Sequence, residues 1–339
     1  MEQKSLKIDI PRRLTSDSLA KFSCDLNYIE QVDEYIFDFG EERWFPPFSM
    51  LFLSMVLREF RQKFVGSSFS ARNHEHHGYA AHFGFFQSFG LGFGNHPGEA
   101  DGSMNYLPIQ KLNIAEIREE AWEAHKEVGD IVEQKSGELA TMLTRSDSGN
   151  LHDTLTYSIR EIIRNVAEHS EADDVFLCAQ YWPKTHRVEV GIADSGVGIC
   201  SGLSNNPDFS ELSNRDALQT ALMPGVSGNI MAGRGDDPWQ NSGYGLYMTN
   251  RICRNGGSFF IASGDAAVKL HHAGKSDVRC HLSGTAVRLI IDIRRLDGLP
   301  AQLGRFADEG RLAAKQVQGA NASFASSASQ MLQRDFKID

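Results

Sequence analysis

The sequence predicts an α/β protein organised as two α/β units, and three observations lead there. A first stretch alternates strand and helix patterns, a charged helical segment follows, and a second stretch sets strands and helices around Gly-rich polar motifs. At 339 residues with 41% hydrophobic content, the chain is long enough to bury two cores of common size.

The elements follow in order. Leu6, Ile8 and Ile10 alternate before Pro11 as a first strand, YIFDFG from Tyr35 gives a second, and SSFSA from Ser67 a third. Between the last two, Pro46 opens an apolar helical run that continues to about Phe60. This most apolar run (residues 44–57) carries two prolines and is too short for a bilayer, so a core helix is expected. The Phe- and Gly-rich FGFFQSFGLGFG at residues 83–94 reads as packed or interface-forming. Residues 113–145 are charged and helical, and SDSGN at 146–150 breaks the pattern. IREIIRNVAEHS at 159–170 is then an amphipathic helix, with Ile159, Ile162, Ile163 and Val166 on its buried face. VFLCAQYW from Val175 and VEVGIADSGVGI from Val188 are strands, and the Gly-, Ser- and Asn-rich residues 200–242 read as a lid or binding loop. SGYGLYMTNRICRNGG enters a helix that stops at Gly256 and Gly257, SFFIAS and TAVRLIIDI add two strands, and the tail from about Arg295 reads as a peripheral helix with a frayed end. The expected units are residues 1–112, a helical connector 113–150, a second unit 151–295 and a tail 296–339.

Composition narrows the classes, leaving a nucleic-acid role unsupported rather than excluded. A net charge of -10 offers no general attraction for nucleic acid or anionic membrane. Five cysteines (Cys24, Cys178, Cys200, Cys253 and Cys280) without CxxC spacing argue against zinc clusters and a disulfide framework, and a cytoplasmic protein is expected. HEHHG from His74 does not match HExxH, so His74, His76, His77 and His82 are expected to be surface or capping residues. GNIMAGRG from Gly228 lacks the Lys and Ser/Thr of a P-loop.

Four polar elements stand in order: Glu161 with Asn165, DSGVGI from Asp194, SGYGL from Ser242 and SGTAV from Ser283. Each suits a nucleotide for its own reason. The carboxylate of Asp194 accepts a hydrogen bond from an exocyclic amine and so prefers adenine to guanine. Gly196 and Gly198 let the backbone bend around a ring, while Gly243 and Gly245 leave amides free at a helix N-terminus, where phosphate is favoured. Asn165 offers an oxygen to Mg²⁺, and Glu161, one turn away, can take a proton from an attacking water.

With these motifs, residues 151–293 resemble the Bergerat-fold, or GHKL, ATPases. The resemblance implies an α/β sandwich, a mixed sheet covered by helices. It further implies Mg²⁺ on Asn165, adenine on Asp194 with Gly196 and Gly198, phosphate along the segment Gly243, Tyr244, Gly245 and Leu246, and support of the adenine site by Thr285. Glu161 would be the catalytic base. Arg234 is a candidate for the γ-phosphate. Residues 1–110 resemble a STAS-type α/β domain, in which Ser49 would be an imperfect equivalent of a regulatory phosphoserine.

The expected activity is an ATP-binding and hydrolysing switch that uses Mg²⁺ and ATP to control a lid and protein or oligomer contacts. The alternatives are a serine or histidine kinase of the same fold and a nucleotide-sensing scaffold without turnover. His125 is the one candidate phosphoacceptor histidine in the connector, and it lacks a convincing second helix. The Phe-rich segment and the charged helix lead to an expected homodimer.

Overall fold

Strands β1 (Ser5–Asp9), β2 (Glu34–Asp38) and β3 (Ser68–Arg72) lie side by side in that order and all run parallel. Their crossovers are helices α1 (Ser16–Asn27), started by a Thr15–Ser18 capping box, and α2 (Pro47–Lys63), started by its proline. This is a computed structural model that describes residues 4–41, 44–103, 105–229, 239, 242–322 and 325–336. The three strands and the core helix read from the sequence are all present.

A second, five-stranded sheet has the order β4 (Tyr106–Asn113), β5 (Asp174–Trp182), β6 (Arg187–Asp194), β8 (Gly274–Asp292), β7 (Ser258–His271). The mixed sheet expected from the resemblance is instead antiparallel at every pairing. Short hairpins join β5 to β6 and β7 to β8, which forces opposite directions on each pair. Strand β4 runs across position 112, and Asn113 at its end caps α5 (Ile114–Ala124) through a 3.0 Å bond from the Glu116 amide. The connector comprises α5 and α6 (Val128–Thr144), separated where His125 adopts φ 54°.

Helix α2 explains its own composition. Every residue from 47 to 57 is buried, because the helix is a filling between the two sheets. Phe60 meets Tyr35 of the parallel sheet at 4.9 Å between ring centroids, and Phe48 meets Phe260 of the antiparallel sheet at 5.6 Å. The opposite face of the antiparallel sheet is covered by α6, α7 (Asn150–His169) and α10 (Gly245–Arg254), so sheet, helices, sheet and helices form four layers. Among the described residues, no helix is long and apolar enough to cross a membrane.

Several expectations change here. The Phe-rich segment follows α3 (Gly78–His82) and contains α4 (Phe85–Ser88); its Phe83, Phe85, Phe86 and Phe89 are buried in the chain's own core, the packed one of the two expected outcomes. His77 is also buried, donating to the Gly40 carbonyl at 2.9 Å; His76 is exposed. Ser49 is buried with its hydroxyl on the Leu14 carbonyl at 2.7 Å, which leaves a phosphorylating enzyme no access. The expected lid contains α8 (Gly198–Ser204) and α9 (Asn214–Ala221), the latter capped by Ser213. Periodicity missed them because each is only about two turns long. The β7–β8 hairpin extends through residues 264–282, beyond the SFFIAS and TAVRLIIDI strands read from the sequence. Helix α11 (Leu299–Ala314) is the expected tail helix, and a last short helix, α12 (Ser327–Gln330), follows it.

A buried carboxylate ties α2 to the antiparallel sheet. Glu189 points from β6 toward α2, accepts from the Phe48 amide at 3.0 Å, and pairs with Arg288 of β8 at 2.6 Å. It thereby satisfies an orphan amide of the α2 first turn from outside the helix. Replacement Glu189→Ala strands both partners and should lower the free energy of unfolding by about 3 kcal/mol, read from urea transitions. A loss below about 0.5 kcal/mol, the size of an ordinary surface substitution, would show that this joint does not hold the layers together.

Candidate functional site

The Ile-rich stripe of α7 packs on the antiparallel sheet, and this fixes where its polar residues point. Glu161 is buried and Asn165 half-buried. They line a cleft that opens to solvent between α7, the strand ends and the start of α10. The cleft runs along α7. At one end Glu161 Oε2 stands against the backbone of Gly245, leaving no room for a Cβ there. At the other end the Ser170 carbonyl, just past the helix, accepts from the Val197 amide at 2.7 Å in the DSGVGI turn. Asn165 lies one turn from Glu161 on the way between the two ends.

The far end is built from strand termini. Asp194 closes β6 and is paired in register with Thr285 of β8, which is paired with Ser263 of β7; Asp194 and Thr285 both line the cleft. Ser263, which sequence reasoning passed over, knots this end together: its hydroxyl donates to the Gly284 carbonyl at 2.8 Å and accepts from the Ile199 amide at 3.0 Å and the Thr285 hydroxyl at 3.4 Å. A polar residue closing the apolar strand SFFIAS was the available signal. Asp194 is buried, and that burial pushes its carboxyl up to about 7 against the opposing effect of the Gly196 amide, which donates to it at 2.8 Å. Gly196 is thus occupied with Asp194, while Gly198 reaches the cleft wall.

The near end is a helix N-terminus. Gly243, in the left-handed region at φ 74°, turns the chain into α10, and Gly243, Gly245 and Leu246 line the cleft. First-turn amides and the helix dipole favour an anion at such a place. Tyr244 differs from expectation: its side chain is fully buried in a cluster with Leu303 and Phe306, away from the cleft. Arg234 lies outside the described residues.

Charge at this end is compensated beneath the surface. Arg160 is fully buried and gives Glu161 Oε1 two bonds, from Nε at 3.1 Å and Nη2 at 2.8 Å, while also pairing with Glu133. Tyr157, Arg160 and Arg164 recur along one face of α7, which was the legible signal for this network. Two residues of α2 brace the far end from behind. Arg58 donates to the Ser195 hydroxyl, and Glu59 accepts from the Ser283 amide at 2.9 Å and hydroxyl at 2.7 Å. Both contacts fall beside cleft residues, Asp194 and Thr285.

No protein-family model matches the chain, and no curated protein matches it.

The raised carboxyl of Asp194 has a signed consequence. Its folded-state pKa of about 7 exceeds the ordinary 3.8, so its stabilising contribution is full below about pH 4 and is lost as pH rises through 7. Between those limits wild type should lose stability relative to Asp194→Asn by about 1.4 kcal/mol per pH unit. Parallel stability curves for the two proteins between pH 5 and 8 would contradict a buried, protonated carboxyl.

Proposed function

We propose that the cleft binds Mg²⁺-ATP in the manner of the Bergerat-fold ATPases and that the protein is an ATP-hydrolysing switch, with residues 1–110 a STAS-like regulatory unit. The observation that carries this reading is the meeting, in one cleft, of Glu161, Asn165, Asp194, Gly243, Gly245 and Thr285, drawn from four separate stretches of sequence. Their order along the cleft also suits one nucleotide: an amine acceptor at one end, a helix N-terminus at the other, and an amide side chain between.

The residues fit the ion as well. The Asn165 amide nitrogen is buried without a hydrogen-bond partner, an orphan that costs free energy unless the side chain has a ligand to meet. Because N and O of an Asn amide are interchangeable by a flip, the side chain can present its oxygen to a cation. Mg²⁺ is commonly held by one or two side chains together with phosphate oxygens and waters. Bound there, Mg²⁺ would neutralise phosphate charge.

The chain's own residues supply the rest. Asp194, as the carboxylate, accepts the adenine amine and disfavours the guanine carbonyl. The α10 amides receive phosphate. Glu161 is held by Arg160 through Oε1, which leaves Oε2 at the Gly245 end to accept the proton of an attacking water.

Calorimetric titration of ADP and ATP with Mg²⁺, together with phosphate release, tests the assignment. Asp194→Asn should weaken binding at pH 8 by about 1.5–3 kcal/mol. Glu161→Ala should bind normally but release phosphate roughly 10²–10⁴-fold more slowly, whereas Asn165→Ala should lose the Mg²⁺-dependent part of binding. Full turnover in Glu161→Ala would end the hydrolytic mechanism, and no nucleotide binding by wild type would end the reading altogether.

A further inference from the structure

Beyond α11 the chain does not trail into solvent: residues 325–336 return to the near end of the cleft and are fastened there by their backbone. Tyr157 donates its hydroxyl to the Ser329 carbonyl at 2.9 Å, and Arg160 donates to the Met331 carbonyl at 3.1 Å and to the Ala328 carbonyl. Glu133 accepts from the Gln333 amide at 2.7 Å, and Arg334 pairs with Asp153. Arg160 is fully buried, so these carbonyls meet donors that water cannot reach. The attachment is therefore part of the site.

With the backbone pinned on both sides of it, Ser329 is the tail residue that lines the cleft among the described residues. Its hydroxyl is 3.1 Å from that of Ser242, which immediately precedes the Gly243–Gly245 turn into α10. Ser326, the cap of α12, places its hydroxyl 3.3 Å from each of these two, but it does not line the cleft. Ser329 therefore stands at the helix N-terminus, where phosphate is favoured, and away from Asp194. One guanidinium nitrogen, Nη2 of Arg160, bonds both Glu161 and the Ala328 carbonyl, so the carboxylate and the serine segment are held in fixed relation.

Building on the ATP-binding reading above, we propose that Ser329 is an intramolecular phosphoacceptor for ATP bound in this cleft. Ser329 Oγ forms a bond to the γ-phosphorus, the bond from that phosphorus to the β,γ-bridging oxygen breaks, and its electron pair leaves with ADP. The serine proton passes to the Glu161 carboxylate. The product places a phosphate of about two negative charges beside Glu161, so the modified tail leaves its seat.

The full chain incubated with Mg²⁺ and γ-labelled ATP tests this, with digestion and mass spectrometry to place the phosphoryl group. The label is expected on Ser329, absent in Ser329→Ala, retained in Ser326→Ala, and acquired at a rate independent of protein concentration. Without nucleotide, hydrogen exchange should find the amides of residues 325–336 protected in wild type and exposed in Ser329→Glu. Calorimetric ADP binding, measured alongside, separates the two claims. Binding accompanied only by free phosphate, by label on another residue, or by a rate that rises with protein concentration would overturn the acceptor role and leave the nucleotide site standing. Absence of ADP binding would overturn both, and unchanged protection in Ser329→Glu would overturn release of the tail.

Discussion

The carboxylate of Glu189 is the point from which the rest of the architecture hangs. It sits in the middle of the antiparallel sheet, on the face away from the cleft, and fixes the first turn of α2 while neutralising Arg288. A charge buried there is tolerable only because both partners are in place. With that end of α2 fixed, its other end brings Arg58 to Ser195, just past β6, and Glu59 to Ser283 within β8. The parallel-sheet unit is consequently part of the wall behind the cleft.

The two ends of the cleft differ in how they manage charge. At the Asp194 end the carboxyl has few compensating partners and is held near neutrality by burial. At the Glu161 end the carboxylate is surrounded by Arg160, Arg164 and a helix N-terminus. A ligand with a neutral hydrogen-bonding base at one end and a strongly anionic group at the other matches that gradient. The tail adds a hydroxyl to the anionic end and shares its donors with the catalytic carboxylate proposed there.

Much of this was legible in the sequence where the signal is local. Alternation marks β1, with Ile8 and Ile10 buried although Leu6 is exposed; the proline marks the start of α2; and the 3.6-residue repeat of Ile159, Ile162, Ile163 and Val166 reports a face that is buried. The motif residues could be proposed as one site because their chemistry is specific, although nothing local brings Asp194 opposite Thr285; strand register does that. What escaped reading depends on distant partners. The tail reads as a fraying end because its anchors, Tyr157 and Arg160, lie about 170 residues away. Tyr244 sits in the right segment, but the α11 core claims its ring. The apolar α2 run gave the helix and not its two-sided burial, since a pattern buried on all sides has no period to follow.

The most direct test of the central claim is a crystal structure of the full chain with a non-hydrolysable ATP analogue and Mg²⁺. The account predicts the base amine within hydrogen-bond distance of the Asp194 carboxylate, the ion on the Asn165 side-chain oxygen, and the phosphates at the first turn of α10 beside Ser329. A nucleotide seated elsewhere, a base at the Glu161 end, or an empty cleft at saturating analogue would contradict it.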